Sequence, residues 1–258
     1  MSNVTIDWCE ENYAVSEHIA EFWNTVTSFF TIFPSILWFL QTAPIGSGAI
    51  PWLHLLCVLI SAGSVTFHGT LTWWGQLLDE VPIMILVSAS FSCLLDSRSI
   101  LGSNKCGAQR EHWAPGPRLL VIIGSFQVFL LALLYTTRAK LYGMFLVPIV
   151  LQALSHWPII LSELFGRLGD SHPVSRRLVM LHVATGYTGY ALWCIEQAFC
   201  MRLRFLQLHA WWHILASIAM KYWIDLLILQ RLAALGLRPR YRTVCFGLGQ
   251  CLTAEEPM

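Results

Sequence analysis

The strongest constraint in this sequence is a recurrence of apolar stretches about twenty residues long, set between short polar connectors. A hydrocarbon core about 30 Å thick is crossed by roughly 20 helical residues. Inside it, helices satisfy their own backbone hydrogen bonds, so helical spans are the natural reading of such stretches. Seven stretches meet the length, at 22–42, 51–72, 76–95, 119–137, 141–162, 178–199 and 207–229. Charged residues make up 12% of the 258-residue chain, against about 25% in an ordinary soluble domain, which argues against water-soluble folding. The expected fold is therefore all-α, a seven-transmembrane-helix integral membrane bundle. It forms a single membrane domain over 1–258, with an acidic segment at 1–21, the bundle at 22–229 and a tail at 230–258. The connectors are too short to hide a soluble domain, and neither a repeat nor a low-complexity tract interrupts them.

The first twenty residues carry Asp7, Glu10, Glu11 and Glu17 in place of a basic start followed by an apolar run, so no cleavable signal peptide is expected and the first span directs insertion. With seven spans the two termini face opposite sides. The carboxy-terminal side collects Arg98, Lys105, Arg110, Arg118, Arg167, Arg176, Arg177, Arg231, Arg238, Arg240 and Arg242, whereas the other side has Arg138, Lys140, Arg202 and Arg204. Positive loops stay in the cytosol. The tail is accordingly expected in the cytosol and the acidic amino terminus in a lumen or outside the cell. Cys9, just before the first span, and Cys200, just after the sixth, then share the non-cytosolic face, where disulfides persist, and they are expected to pair. The other six cysteines are expected to be reduced. The net charge of +1 and the lack of a basic stripe give no sign of nucleic-acid binding.

Nine histidines are present, and depth sorts them. His54, His156 and His182 approach the cytosolic face, and His112 and His172 fall in cytosolic loops. His68, near the end of the second span, and His209 and His213, at the start of the seventh, meet at one depth in the opposite half. Residues four apart on a helix share a face with Cβ atoms about 5–6 Å apart, so His209 and His213 can serve one ion. Three imidazoles with a fourth position left to water are a catalytic zinc arrangement; the alternative for each histidine alone is a hydrogen-bonded core residue.

Asp79 opens the third span at the same depth, and an intramembrane carboxylate is costly and usually functional. It either orients a ligand or the metal-site water, acts as base towards that water, or simply faces lipid headgroups at a helix end. Ser64 stands one turn before His68 and either donates to a developing oxyanion or makes an interhelical hydrogen bond. Lys221 and Asp225, one turn apart in the seventh span, either pair inside the bundle or snorkel. Trp211 and Trp212 either line a lateral lipid entrance or anchor the helix at the interface.

Four blocks together resemble the alkaline ceramidases: Asp7-Trp8-Cys9-Glu10-Glu11-Asn12-Tyr13; Ile19-Ala20-Glu21-Phe22-Trp23-Asn24-Thr25; Phe67-His68 with Gln76-Leu77-Leu78-Asp79-Glu80; and His209-Ala210-Trp211-Trp212-His213. The resemblance spans nearly the whole chain. It implies a zinc-dependent intramembrane amidase that hydrolyses ceramide to a sphingoid base and a free fatty acid. On it, His68, His209 and His213 are zinc ligands, Ser64 stabilises the oxyanion and Asp79 handles the water. It also implies a calcium ion on Asp7, the Trp8 carbonyl, Glu10, Asn12 and Glu21. Close-set oxygens of that kind suit a hard cation, although without the resemblance they read as an acidic terminus obeying topology.

The linker between Cys200 and His209 is short, and Glu196-Gln197 stands where the family leads one to expect a different acidic pair. The expected cofactors are thus Zn2+ and Ca2+. The expected partner is ceramide drawn from the bilayer among other membrane lipids, with no obligate protein partner. The expected compartment is the endoplasmic reticulum or Golgi. The related seven-helix adiponectin and progestin receptors share the Ser, His, Asp, His, His pattern, and a receptor with a zinc site is the alternative; a transporter or scaffold that uses the histidines to move protons or metal is a further rival.

Overall fold

The computed structural model describes residues 8–42, 50–102, 173–234, 240–243 and 249–252, together with Phe129, Trp157, Ile160 and Leu161. Five long helices dominate: α1 (Phe22–Thr42), α2 (Ile50–Thr70), α3 (Trp73–Gly102), α4 (Pro173–Leu203) and α5 (Leu208–Ala234). A 3-10 turn, Arg204–Leu206, joins α4 to α5. Among the described residues, Trp52–Thr70, Val174–Leu206 and Leu208–Ala233 are long and apolar enough to cross a membrane, and the chain is a membrane protein. The expected spans 119–137 and 141–162 fall almost wholly outside the described residues.

The sides of α1 show the solvent for which the bundle is built. Asn24, Ser28, Thr31 and Ser35 recur along one face and are buried, while Phe29, Phe30, Phe33, Leu37 and Leu40 point outward. A polar stripe inside and an apolar surface outside is stable only against lipid, where helices gain little by hiding apolar groups and much by pairing polar ones. The buried hydroxyls turn back onto their own helix, Ser28 to the Asn24 carbonyl at 2.7 Å and Ser35 to the Thr31 carbonyl at 2.9 Å. They also stitch α1 to α2, with Thr31 donating to Ser61 at 2.9 Å and Ser28 lying 3.0 Å from Ser64.

α2 and α3 form a tight antiparallel hairpin across Leu71 and Thr72, and glycine sets how close they come. A Cβ on Gly63 would overlap the Leu78 carbonyl, and one on Gly75 would stand 2.8 Å from the Phe67 Cα. Backbone therefore rests on backbone, which fixes Ser64 against the first turns of α3. α5 packs on α1, α3 and α4. Its inner half, including Trp223, Ile224, Leu226 and Leu227, forms the main apolar core with Leu53, Leu86 and Leu178.

Lys221 and Asp225 form an ion pair along α5, with both side chains buried. The Lys221 Nζ also sits 5.8 Å from the centre of the Trp38 ring, so the lysine faces the bundle and does not snorkel. Cys57, Cys93 and Cys194 are free thiols.

Residues 8–21 close one end of the bundle and complete helices other than their own. The Glu10 carboxylate accepts the first-turn amides of α1, from Trp23 at 2.6 Å and Asn24 at 2.9 Å. The Ala20 and Glu21 amides donate to the Gly69 and His68 carbonyls at the end of α2, at 3.1 and 2.9 Å. Orphan groups at two helix ends are thus satisfied by one segment. Cys9 is disulfide-bonded to Cys200, which ties the same segment to α4.

The fold departs from the sequence reading at helix ends and in the tail. α4 runs on to Leu203, past the expected limit of 199, but loses helical geometry at Phe199 (φ −126°, ψ 27°). Within the tail, Arg240–Thr243 (β1) pairs antiparallel with Gly249–Leu252 (β2), so the fold is helical with a small hairpin appended. Replacing Gly63 by alanine forces backbone apart, with no flexible side chain to yield, and is expected to cost about 3 kcal/mol, the upper end for overpacking. The check is the unfolding midpoint of the purified protein, with Gly69→Ala as the control because a Cβ there meets only Thr25 side-chain atoms, at 3.7 Å or more.

Candidate metal centre

At the end of the bundle closed by residues 8–21, α2 presents His68 and α5 presents His209 and His213. One potential ligand atom from each lies within 4.8 Å of the other two, and the ring centroids are 4.6–5.2 Å apart. His68 and His209 are buried and His213 is partly so. Three imidazoles packed this closely in an apolar bundle lack the water that would otherwise satisfy them, so the partners of the outward nitrogens decide what the inward ones can do.

Those partners are consistent in sign. His68 Nδ1 is hydrogen-bonded to the Glu21 carboxylate, an acceptor, which places the proton on Nδ1. His213 Nδ1 lies 3.0 Å from the Ser28 hydroxyl and 3.2 Å from that of Thr27. Both hydroxyls donate to helix carbonyls, Ser28 to Asn24 at 2.7 Å and Thr27 to Trp23 at 2.9 Å, so they accept from His213. His209 Nδ1 faces the Glu196 carboxylate at 3.7 Å. For His68 and His213 this leaves Nε2 as the free lone pair, while His209 Nδ1 has no hydrogen-bond partner. Three imidazoles whose ligand atoms come this close, with no fourth protein ligand in the group among the described residues, fit a divalent ion of zinc type with an open position.

Ser64 is buried 3.0 Å from Ser28, and its hydroxyl reaches the Asp79 side chain. Ser28 thus links the imidazole of His213 to the Ser64–Asp79 pair. Glu80, beside Asp79, accepts from Gln76 at 2.9 Å.

Of the residues expected to hold calcium, Asp7 lies outside the described residues. Trp8 and Glu10 both stand close to Glu21, and Asn12 belongs to the same segment. The Glu21 carboxylate is fully buried and engaged on both oxygens, Oε1 with the Trp8 amide at 3.1 Å and Oε2 with His68 and with the Asn24 amide group at 3.1 Å. Burial holds the Glu10 carboxyl above its ordinary range, and the neighbouring Glu21 charge adds to this, against the opposing pull of the Trp23 and Asn24 amides. A carboxyl whose ionisation is opposed by burial and by a neighbouring carboxylate is what a cation would relieve.

Several of these roles lie outside what the sequence indicates. On sequence grounds Glu21 is a calcium residue only, yet it orients His68. Thr27 and Ser28 carry no sequence assignment, although the periodic polar stripe on α1 is a usable signal. Glu196 is an unexpected acid with no assigned role. The Trp8 ring stacks on His209 with centroids 4.1 Å apart, and nothing in the sequence pointed to that contact.

A helical membrane bundle with a largely buried histidine trio beside a serine and a carboxylate defines a class, that of membrane proteins with a group of side chains that could hold a metal ion. The sequence profile of the Ceramidase family matches residues 2–248, and the chain belongs to the ceramidase family, which makes it a hydrolase. It is 29% identical to alkaline ceramidase 3 of Mus musculus, with 97% of this chain and 92% of that protein covered. It is 28% identical to an alkaline ceramidase of Saccharomyces cerevisiae over 93% of this chain and 80% of the relative. A stretch of 97 residues is 39% identical to the alkaline ceramidase of Drosophila melanogaster, covering 36% of this chain and 34% of that one.

Glu10→Ala leaves two first-turn amides of α1 unsatisfied in a buried setting. The expected loss is about 1–3 kcal/mol of stability, read as a lowered unfolding midpoint in detergent.

Proposed function

We propose that this chain hydrolyses the amide bond of ceramide to a sphingoid base and a free fatty acid, with zinc held by His68, His209 and His213. The observation that carries the reading is the close approach of three imidazoles, with Nδ1 of His68 on Glu21 and Nδ1 of His213 beside Ser28, in a chain of the ceramidase family. A zinc ion bound there supplies Lewis acidity, which activates water near neutral pH and polarises the amide carbonyl.

The chain's own residues do the rest. Asp79 accepts the proton of the attacking water on a carboxylate oxygen and returns it to the departing amine nitrogen. Ser64 donates its hydroxyl hydrogen to the oxygen that becomes negative as the carbonyl carbon turns tetrahedral. Its present position against Asp79 and Ser28 keeps that hydroxyl in place before substrate arrives. The Trp8 ring and Phe67 pack on His209 and His68 and exclude bulk water from the ligands.

Calcium is assigned to Asp7, the Trp8 carbonyl, Glu10, Asn12 and Glu21; the burial of the Glu10 carboxyl beside the Glu21 charge supports a cation in this region. The acidic segment, and the metal centre it covers, face the lumen of the endoplasmic reticulum or Golgi, with the carboxy terminus in the cytosol. The basic residues of the opposite loops support that orientation. Exposed Trp23, Trp74 and Trp211 near the site suit the membrane interface, and a ceramide entering sideways from the bilayer passes Trp211 and Trp212.

The test is release of labelled fatty acid from ceramide by the purified protein. Activity is expected to disappear on chelation and in His213→Ala, and to return to the chelated wild type with zinc. Asp79→Asn is expected to lower kcat at least about 100-fold, and Ser64→Ala to cost about 3–4 kcal/mol of transition-state stabilisation. Ceramide binding with no product from the zinc-loaded wild type would overturn the hydrolase reading and favour a receptor.

A further inference from the structure

Glu196 takes no part in the chemistry just described, yet its side chain is buried where α4 meets α5, directly behind His209. Its Oε1 accepts the His209 backbone N–H at 3.2 Å and so caps the first turn of α5. Its Oε2 lies 3.7 Å from His209 Nδ1. Both of these facing atoms are buried without a hydrogen-bond partner. An acceptor and a ring nitrogen left unsatisfied in an apolar site are each costly, and a shift of about 1 Å brings them to hydrogen-bonding distance.

The other two imidazoles set the pattern, one with Glu21 on Nδ1 and the other with the hydroxyls of Thr27 and Ser28. The plane of the His209 ring is already held, since Trp8 stacks on it at 4.1 Å and Trp193 of α4 packs edge-on against Trp8 at 6.1 Å. What remains open is rotation within that plane and the position of the proton. One carboxylate from α4 addresses both.

We propose that Glu196 is the positioning residue of His209, directing Nδ1–H to Oε2 so that Nε2 stays bare for a divalent cation. The inference rests on the reading of the three histidines as a metal site. It also gives α4, which supplies none of the histidines, a direct hold on the centre.

The experiment compares zinc affinity, by competition with a chromophoric chelator, and the unfolding midpoint of the zinc-free protein for wild type, Glu196→Gln, Glu196→Asp and His209→Ala. Glutamine places an NH2 where one oxygen stood, so one of the two N–H donors must face another donor. Glu196→Gln is expected to bind zinc about 10–100-fold more weakly, beyond any change in zinc-free stability. Glu196→Asp, which keeps both acceptor oxygens, is expected to recover part of that affinity. Should the glutamine variant fail to fold, an aspartate variant about 3–10-fold weaker than wild type supports the proposal.

Zinc affinity within twofold of wild type in the folded glutamine variant, or in the aspartate variant if only that one folds, overturns it. So does a lowered zinc-free midpoint with unchanged affinity, which is the signature of a helix cap alone. His209→Ala separates the two levels of inference. If that variant binds zinc as tightly as wild type, the three-histidine site is wrong, whereas loss of zinc in His209→Ala with full affinity in Glu196→Gln removes only the role of Glu196.

Discussion

Which nitrogen an imidazole offers to an ion is fixed by where the proton on its other nitrogen finds an acceptor. In water that acceptor is always at hand. Inside a lipid-facing bundle it must be built, and most of the polar architecture near the site serves that need. Glu21 comes from the segment before α1, Ser28 and Thr27 from α1 and Glu196 from α4, so the outward nitrogens of three rings draw on three different parts of the chain. The same constraint explains why α1 carries its polar stripe inward, and why the hydroxyls nearest His213 are occupied with helix carbonyls and left to accept.

Much of the bundle was legible because hydrocarbon thickness writes itself directly into composition. The expected stretch 22–42 coincides with α1, and 51–72 nearly so with α2. The disagreements fall on polar ends. The stretch 76–95 became Trp73–Gly102, and 207–229 became Leu208–Ala234. Asp96 and Arg98 end an apolar run in α3, as Gln230 and Arg231 do in α5, yet none of them ends a helix. Hydropathy marks where apolar sequence stops, while backbone hydrogen bonding continues until something breaks it. The hairpin of β1 and β2 left no hydrophobic periodicity strong enough to read.

The site was legible to a different depth. The pair His209 and His213 is visible because i, i+4 spacing is a local property, and His68 follows from the alternation of helix direction. The outer partners are not local. Whether Glu21 faces a hard cation or an imidazole depends on how residues 8–21 fold across the ends of α1 and α2, and the interlocked backbones at Gly63 and Gly75 decide how near α3 stands to Ser64. Glu196 drew notice in the sequence only as an unexpected acid, because its meaning lies in the crossing of α4 over the start of α5.

The segment that closes the bundle is the first of these parts to leave the ribosome, and the partners it needs are among the last. Its cysteine waits for one 191 positions downstream, which at about 5–20 residues per second is roughly 10–40 s of synthesis. Through that interval Cys9 has no partner thiol to pair with. The end of the molecule that bears the three histidines is therefore completed only once α5 has been made, and a nascent chain arrested short of α5 carries one histidine of the trio.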